Sequence, residues 1–275
     1  MTEAKNGEDV KSYETLLTER RGPLLIVTLN RGDSLNSLNN VLVEELTDLF
    51  DQLHARPDIR VVILRADGRA FCAGADLSSW GLDPGEGQTH RTYALQRQIA
   101  KIMKLMRSCP QPIIGLGHGP ACGGGFSLLL SCDVRIAAPS LRMNAAYIRI
   151  GLGGCDMGSS YFLPRLVGMS LASELLLTGD FIHADRALRV GLVSDVVPEE
   201  QLLDAGVAMA ERMLSTNPLG LRMTKDALNL AVDAPSLDAV MAIEDRQQIL
   251  VASTADASEA LKAFFEKRPP VYRDV

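Results

Sequence analysis

The sequence predicts an α/β protein with parallel strand pairing, followed by a helical C-terminal region. Three observations predict it. RVVILRA (60–66), PIIGLG (112–117) and DVRIAA (133–138) are short apolar runs of the length expected for buried strands. Segments with helical spacing lie between them, and a strand that returns beside its predecessor through a helix pairs with it in parallel. After about residue 157 the pattern is mostly helical.

The elements follow in order. Residues 1–14 form a polar N-terminal arm. LLTERRGPLLIVTLN reads as two strands around an Arg21-Gly22-Pro23 turn. Leu42, Leu46, Leu49, Phe50 and Leu53 recur at helical spacing and predict an amphipathic helix over 39–55. A glycine-bearing loop, GRAFCAGADL, follows the strand at 60–66. GLDPGEGQTH (81–90) reads as a surface loop, and 91–107 as a helix. Further helices are expected at LASELLLTG, ADRALRVG, 199–214, 219–231, 236–252 and 256–267. The expected division is a core over 15–200 and a helical region over 201–275.

Bulk properties narrow the function. With 275 residues, 47% of them hydrophobic, the chain can bury a sizeable core. A net charge of −6 argues against bulk binding to nucleic acid or anionic membranes. The polar start, MTEAKNGEDVK, reads as no secretory signal, and the apolar stretch 112–130 is interrupted by Pro120 and by glycines. Five cysteines, an odd number without a CxxC pair, are expected to be reduced thiols in a cytoplasm. The four histidines lack metal-ligand spacing, so no metal is expected.

GPACGGGFSLLLS (119–131) sets three glycines where a strand turns into a helix. The first turn of a helix leaves backbone N–H groups unpaired, and its dipole favours negative charge there. Without Cβ atoms a ligand can approach the main chain closely. Such a turn can hold a phosphate, or an oxygen on which charge develops during reaction. No GK[ST] ending supports a P-loop, and G-x-G-x-x-G finds no useful register. Close helix–strand packing is the alternative. A second loop, Cys72-Ala73-Gly74-Ala75-Asp76, also follows a strand, and two such loops can each offer an N–H to one oxygen.

Seven segments in order, NRGDSLNSLN, GRAFCAGADL, QPIIGLGHGPACGGG, SCDVRIAA, LPRLVG, LLTGDFIHADRALRVGLVSDVVP and AFFEKR, resemble the enoyl-CoA hydratase/isomerase (crotonase) superfamily from about residue 20 to 268. The resemblance implies a crotonase-like spiral of ββα units with a helical C-terminal trimerisation region, assembled as homotrimers or hexamers. It implies an acyl-CoA substrate, with coenzyme A arriving as part of it and no permanently bound cofactor. The N–H groups of Ala75 and Gly124 match the family's oxyanion hole. Ser34, Leu35 and Ala73 match positions near the adenine and pantetheine of CoA. Phe264 and Lys267 match C-terminal positions that reach CoA, often on a neighbouring subunit; the alternatives are core packing for Phe264 and a solvated charge for Lys267.

Family hydratases hold the reacting water between two glutamates. The matching positions here are Ser127 and Tyr147, and neither can act as a base near neutral pH unaided, tyrosine titrating near about 10. Asp156, in GLGGCDMGSS, is the candidate proton-transfer base, as in relatives that carry an aspartate in this segment, with Tyr147 or Ser127 orienting substrate or water. Burial in an apolar glycine-rich loop would raise its pKa toward a useful range. The alternative role for Asp156 is to cap the next helix. Asp76 is expected to shape its loop, Asp133 to serve a strand start, and His118 to bond to backbone or reach the site. Glu86 and Trp80 are weaker candidates beside it, and Cys72, Cys122 and Cys155 read as apolar fillers. Other outcomes for the same oxyanion hole are thioester hydrolysis, C–C bond chemistry on a β-keto acyl-CoA, or acyl-CoA binding without catalysis.

Overall fold

The computed structural model describes residues 11–78 and 88–275. The apolar runs form strands as expected. β1 (Leu16–Arg21) and β2 (Leu24–Leu29) make an antiparallel hairpin. β3 (Val61–Ala66), β4 (Ile113–Gly117), β6 (Val134–Ala137) and β9 (Asp195–Val196) then extend it in parallel, in the order β1-β2-β3-β4-β6-β9. A smaller sheet of β5 (Pro120–Cys122), β7 (Arg142–Asn144) and β8 (Ile182–His183) lies apart from it in the pairing.

The period-two geometry of a strand explains the layering. In β3, Val62 and Leu64 join the core built on α1 (Asn40–Gln52), α2 (Gln88–Ser108) and α3 (Gly124–Ser131). Val61 and Ile63 face the other way, into a second core with Leu202 and Ala210 of α7 (Leu202–Leu214). Both faces are covered, so these strands are mostly apolar, with Arg65 in β3 and Arg135 in β6 as exceptions. α7 packs on β3, β4 and β6, which ties the chain beyond residue 201 to this same core.

α1 begins where the Asn39 side chain accepts from the Leu42 N–H, and its apolar stripe is buried. The last residues of the arm are docked on it: Lys11 and Tyr13 bond to Asp48, and the Glu14 N–H to Glu45. α2 begins at Gln88, so residues 88–90 are helical and not part of a loop as expected; the rest of that loop, with Trp80 and Glu86, lies outside the described residues.

α4 (Ser159–Val167), α5 (Met169–Thr178) and α6 (Ala184–Arg189) lead back to β9. The C-terminal helices are α8 (Pro218–Ala231), α9 (Leu237–Ala252) and α10 (Ala255–Glu266), capped by Asn217, Ser236 and Thr254. Among the described residues, no helix is long and apolar enough to cross a membrane.

Candidate active site

Three segments lie side by side at the carboxyl ends of β2, β3 and β4. Leu38 donates to the Gly74 carbonyl and accepts from the Asp76 N–H, while Ala73 donates to Leu35. On the other edge, Cys72 donates to Pro120 and accepts from Cys122, which seats it against β5. Strand alternation slips at Gly74, where φ is +100°, so Ala73 and Gly74 both turn toward residues 35–38. Ala75 therefore keeps its N–H on the opposite edge, the β5 edge. That edge carries the glycine turn: a Cβ added to Gly74 would lie 2.9 Å from the Cys122 carbonyl oxygen and 3.5 Å from the Gly124 nitrogen.

The three consecutive glycines have distinct reasons. Gly123 precedes α3 at φ +50° and donates to the Asn144 carbonyl of β7. Gly125 presses on the neighbouring loop, where a Cβ would fall 2.2 Å from the Cys72 carbonyl oxygen. Gly124 opens α3, and its N–H is one of the unpaired amides of a first turn. Among the described residues neither it nor the Ala75 N–H has a hydrogen-bond acceptor. Close packing and two free amides thus occur together.

Asp156 sits beside this turn. Its Oδ1 accepts from the Met157 N–H at 2.6 Å and from Gln96 Nε2 of α2 at 2.5 Å. Burial pushes its carboxyl above the ordinary value, against the pull of those two donors. It does not cap α4: the cap position is Gly158, with no side-chain acceptor, and Ser159 N–H bonds to the Asp156 main-chain carbonyl. The segment is held from both sides, because Ser127 Oγ donates to that same carbonyl at 3.3 Å and Asp156 N–H donates to Ser159 Oγ. Ser127 is fully buried, so its hydroxyl secures the Asp156 loop.

Tyr147 is 5% exposed, and Gly123 would meet its ring at 3.5 Å if it carried a Cβ. Burial lifts its phenol to about 12. Ser159 and Ser127 stand beside the hydroxyl and oppose that rise, but neither closes a hydrogen bond of acceptable geometry, and the oxygen is buried without a partner. Met157, at φ +49°, forms the wall next to Gly124: its Cε would lie 3.4 Å from a Gly124 Cβ. Met157 also lines a cavity of about 900 Å³ between α2, α4 and α8, with Met103, Phe162, Met223 and Leu230 among its apolar walls and Lys104 and Arg107 among its polar ones.

The remaining candidates resolve individually. Leu35 has φ +53°, and the Ser34–Leu35 turn touches the second loop through the Ala73 bond. Phe264 is 76% exposed on α10, which rules out core packing, and it meets Phe265 edge-on. Lys267 closes α10 as an exposed residue at φ +53°. Asp76 shapes its loop through Arg31 and Ser78. Asp133 accepts from the Ile113 N–H at the start of β4 and pairs with buried Lys225. His118 is backbone-bonded: Nε2 lies 2.8 Å from the Gly68 carbonyl oxygen and so carries the proton there. Cys72 is buried with its thiol raised to about 12, and burial raises Cys122 too, so neither is an activated nucleophile. Among the described residues no cluster of His, Cys, Asp or Glu has the geometry for a metal. Gln96, Met157 and Ser159 belong to the site and went unread in the sequence.

The chain is similar to known proteins over nearly its whole length. The family model for enoyl-CoA hydratase/isomerase matches residues 19–275. A probable enoyl-CoA hydratase of Mycobacterium tuberculosis is 40% identical over 263 residues, covering 94% of this chain and 92% of that one. A crotonyl-CoA hydratase of Syntrophomonas wolfei is 33% identical, covering 94% and 97%. The crystal structure of an enoyl-CoA hydratase from Bacillus anthracis is similar with a TM-score of 0.89 at 33% identity, covering 95% and 100%.

Proposed function

The chain belongs to the enoyl-CoA hydratase/isomerase family, and from that premise we propose that it shifts a proton on an acyl-CoA thioester through an enolate. The observation that carries the reading is the pair of unpartnered amides, Ala75 and Gly124, on two loops in contact. A thioester oxygen between them receives two N–H donors as charge develops on it. Losing one such donor costs about 2.7–4 kcal/mol of transition-state stabilisation.

Asp156 takes the proton from the carbon next to the carbonyl. The electron pair moves onto the oxygen, and the proton returns at C4, the far carbon of the original 3,4 double bond, leaving the 2-enoyl isomer. Desolvation raises the carboxyl toward the pH at which such a base works. Ser127 secures the Asp156 loop, and the free Tyr147 hydroxyl orients substrate or water. Two-glutamate hydration lacks its residues here. A second reading, hydration with Asp156 as the single acid–base group, is favoured by the unpartnered Tyr147 hydroxyl and by the names of the relatives.

The Ser34–Leu35 turn and Ala73 take the adenine and pantetheine of CoA. Phe264 and Lys267 reach CoA on a neighbouring copy. α9 buries none of its residues and exposes Leu237, Met241, Ile249 and Leu250, which supports assembly into a homotrimer or hexamer. All five cysteines are free, in keeping with a cytoplasmic location. Purified protein assayed with 3-hexenoyl-CoA, crotonyl-CoA and a dienoyl-CoA tests the reading. Isomerisation of a 3-enoyl or dienoyl thioester supports it, turnover of crotonyl-CoA alone favours the second reading, and binding without any turnover refutes both.

A further inference from the structure

Asp156 has two carboxylate oxygens in unequal surroundings. Oδ1 accepts two donors, the Met157 N–H at 2.6 Å and Gln96 Nε2 at 2.5 Å. Among the described residues Oδ2 has no hydrogen-bond partner. The first donor is rigid, being the next peptide of the same loop. The second comes from α2, 60 residues earlier in the chain, and is half-buried where it meets Asp156.

We propose that Gln96 is a positioning residue that fixes the Asp156 carboxylate through Oδ1 and leaves Oδ2 as the oxygen that takes and returns the proton. The proposal rests on the reading of Asp156 as the base. A carboxylate held at one point can rotate about its Cβ–Cγ bond and present either oxygen. Two donors converging on Oδ1 from different elements remove that freedom. The amide also counteracts burial. A carboxyl in an apolar loop tends to keep its proton and then cannot act as a base, whereas a donor on Oδ1 favours the ionised form. Glutamine does this without adding a charge, so the group returns its proton more readily than it would beside lysine or arginine. The main chain is fixed separately, through Ser127 and Ser159 on the Asp156 carbonyl and N–H. Loss of Gln96 therefore frees the carboxylate and not the loop.

The test uses full-length protein carrying ¹³C-labelled aspartate, with the Asp156 Cγ resonance identified by its absence in Asp156→Asn. Gln96→Met keeps the side chain's length and removes the donor. Gln96→Glu places a second carboxyl there and covers the case in which Gln96→Met does not fold. In both, the Asp156 titration midpoint is expected to rise, by about one pH unit in Gln96→Met. The acid limb of kcat/KM for 3-hexenoyl-CoA should rise with it, the loss of kcat should be largest on the acid side, and KM should change less than twofold. A midpoint unmoved in both variants overturns the proposal. So does a loss of kcat that is equal at every pH, the mark of a merely structural role. Turnover retained by Asp156→Asn instead refutes the reading of Asp156 as base, while the resonance still reports the Gln96–Asp156 bond.

Discussion

Gly74 and Gly124, 50 residues apart in the chain, meet across the site: a methyl group on Gly74 would stand 3.5 Å from the Gly124 nitrogen and 2.9 Å from the Cys122 carbonyl oxygen. The contact is between backbones, so it has no side chain to yield. Gly74→Ala must either push the loops apart or distort a residue at φ +100°. A loss of kcat of at least about a hundredfold is expected, in line with the loss of one oxyanion donor. Steady-state kinetics with CoA affinity measured alongside checks this; near-normal kcat would mean that loop spacing does not govern the chemistry.

Asp156→Asn separates chemistry from stability. Asparagine Oδ1 can still accept from Gln96 and Met157, so the loop keeps its anchors. The carboxyl's folded-state pKa is raised by desolvation, so between its unfolded and folded values the native state holds more protons than the unfolded state. The contribution of Asp156 to stability therefore falls as pH rises through that window. At pH 7 the variant should melt at the wild-type temperature or a few degrees above it, with turnover abolished. Calorimetry and a 3-enoyl-CoA assay on one preparation decide the point; a clear drop in melting temperature would show the carboxylate to be structural.

In the wild-type enzyme, activity should fall on the acid side through a pKa raised above that of a free aspartate, since only ionised Asp156 accepts a proton. The pH dependence of kcat/KM measures it. A profile flat down to the usual carboxylate range would exclude this group as the base.

Met157 separates Gly124 from the cavity between α2, α4 and α8. Met157→Ala opens that wall and should raise kcat/KM for long-chain thioesters relative to crotonyl-length ones by about tenfold, roughly the binding worth of two buried methylenes. The cost in stability is about 2 kcal/mol, at the low end for a methionine truncation because the side chain borders a cavity. An unchanged chain-length profile would place the acyl chain elsewhere.

Much of the fold was legible because β3 and β4 are buried on both faces and read as apolar runs, interrupted in β3 only by Arg65. Helix α1 was legible because its stripe has a single period. The strands of the smaller sheet were not: β5, β7 and β8 span two or three residues, too few for any period to register. In the site, glycines marked the two loops, Gly123 through its positive φ and Gly74 and Gly125 through close approach to neighbouring backbone. Gln96 left no sequence signal. Its role arises where α2 crosses the Asp156 loop, and one amide on a polar helix looks like any other. Whether Asp156 faced the site was equally hidden, because it turns on a single residue of register fixed by the bonds from Ser127 and Ser159.

Lys225 tests the second pillar of the fold. Its buried ammonium lies 2.9 Å from Asp133 Oδ2 and donates to the carbonyls of Met106 and Gln111. Lys225→Met leaves Asp133 with Arg107 as its cation and takes a donor from the buried Met106 and Gln111 carbonyls, and should cost about 2 kcal/mol. The double variant with Asp133→Asn, which keeps an acceptor for the Ile113 N–H, should recover about half of that. Urea unfolding of the three variants gives the coupling; strict additivity would show that the pair contributes nothing.

The oxyanion assignment is tested most directly by a crystal structure of the protein with an acyl-CoA thioester bound. The thioester oxygen should lie within about 2.7–3.1 Å of the nitrogens of both Ala75 and Gly124. An oxygen bonded to only one of them, or to neither, would contradict it.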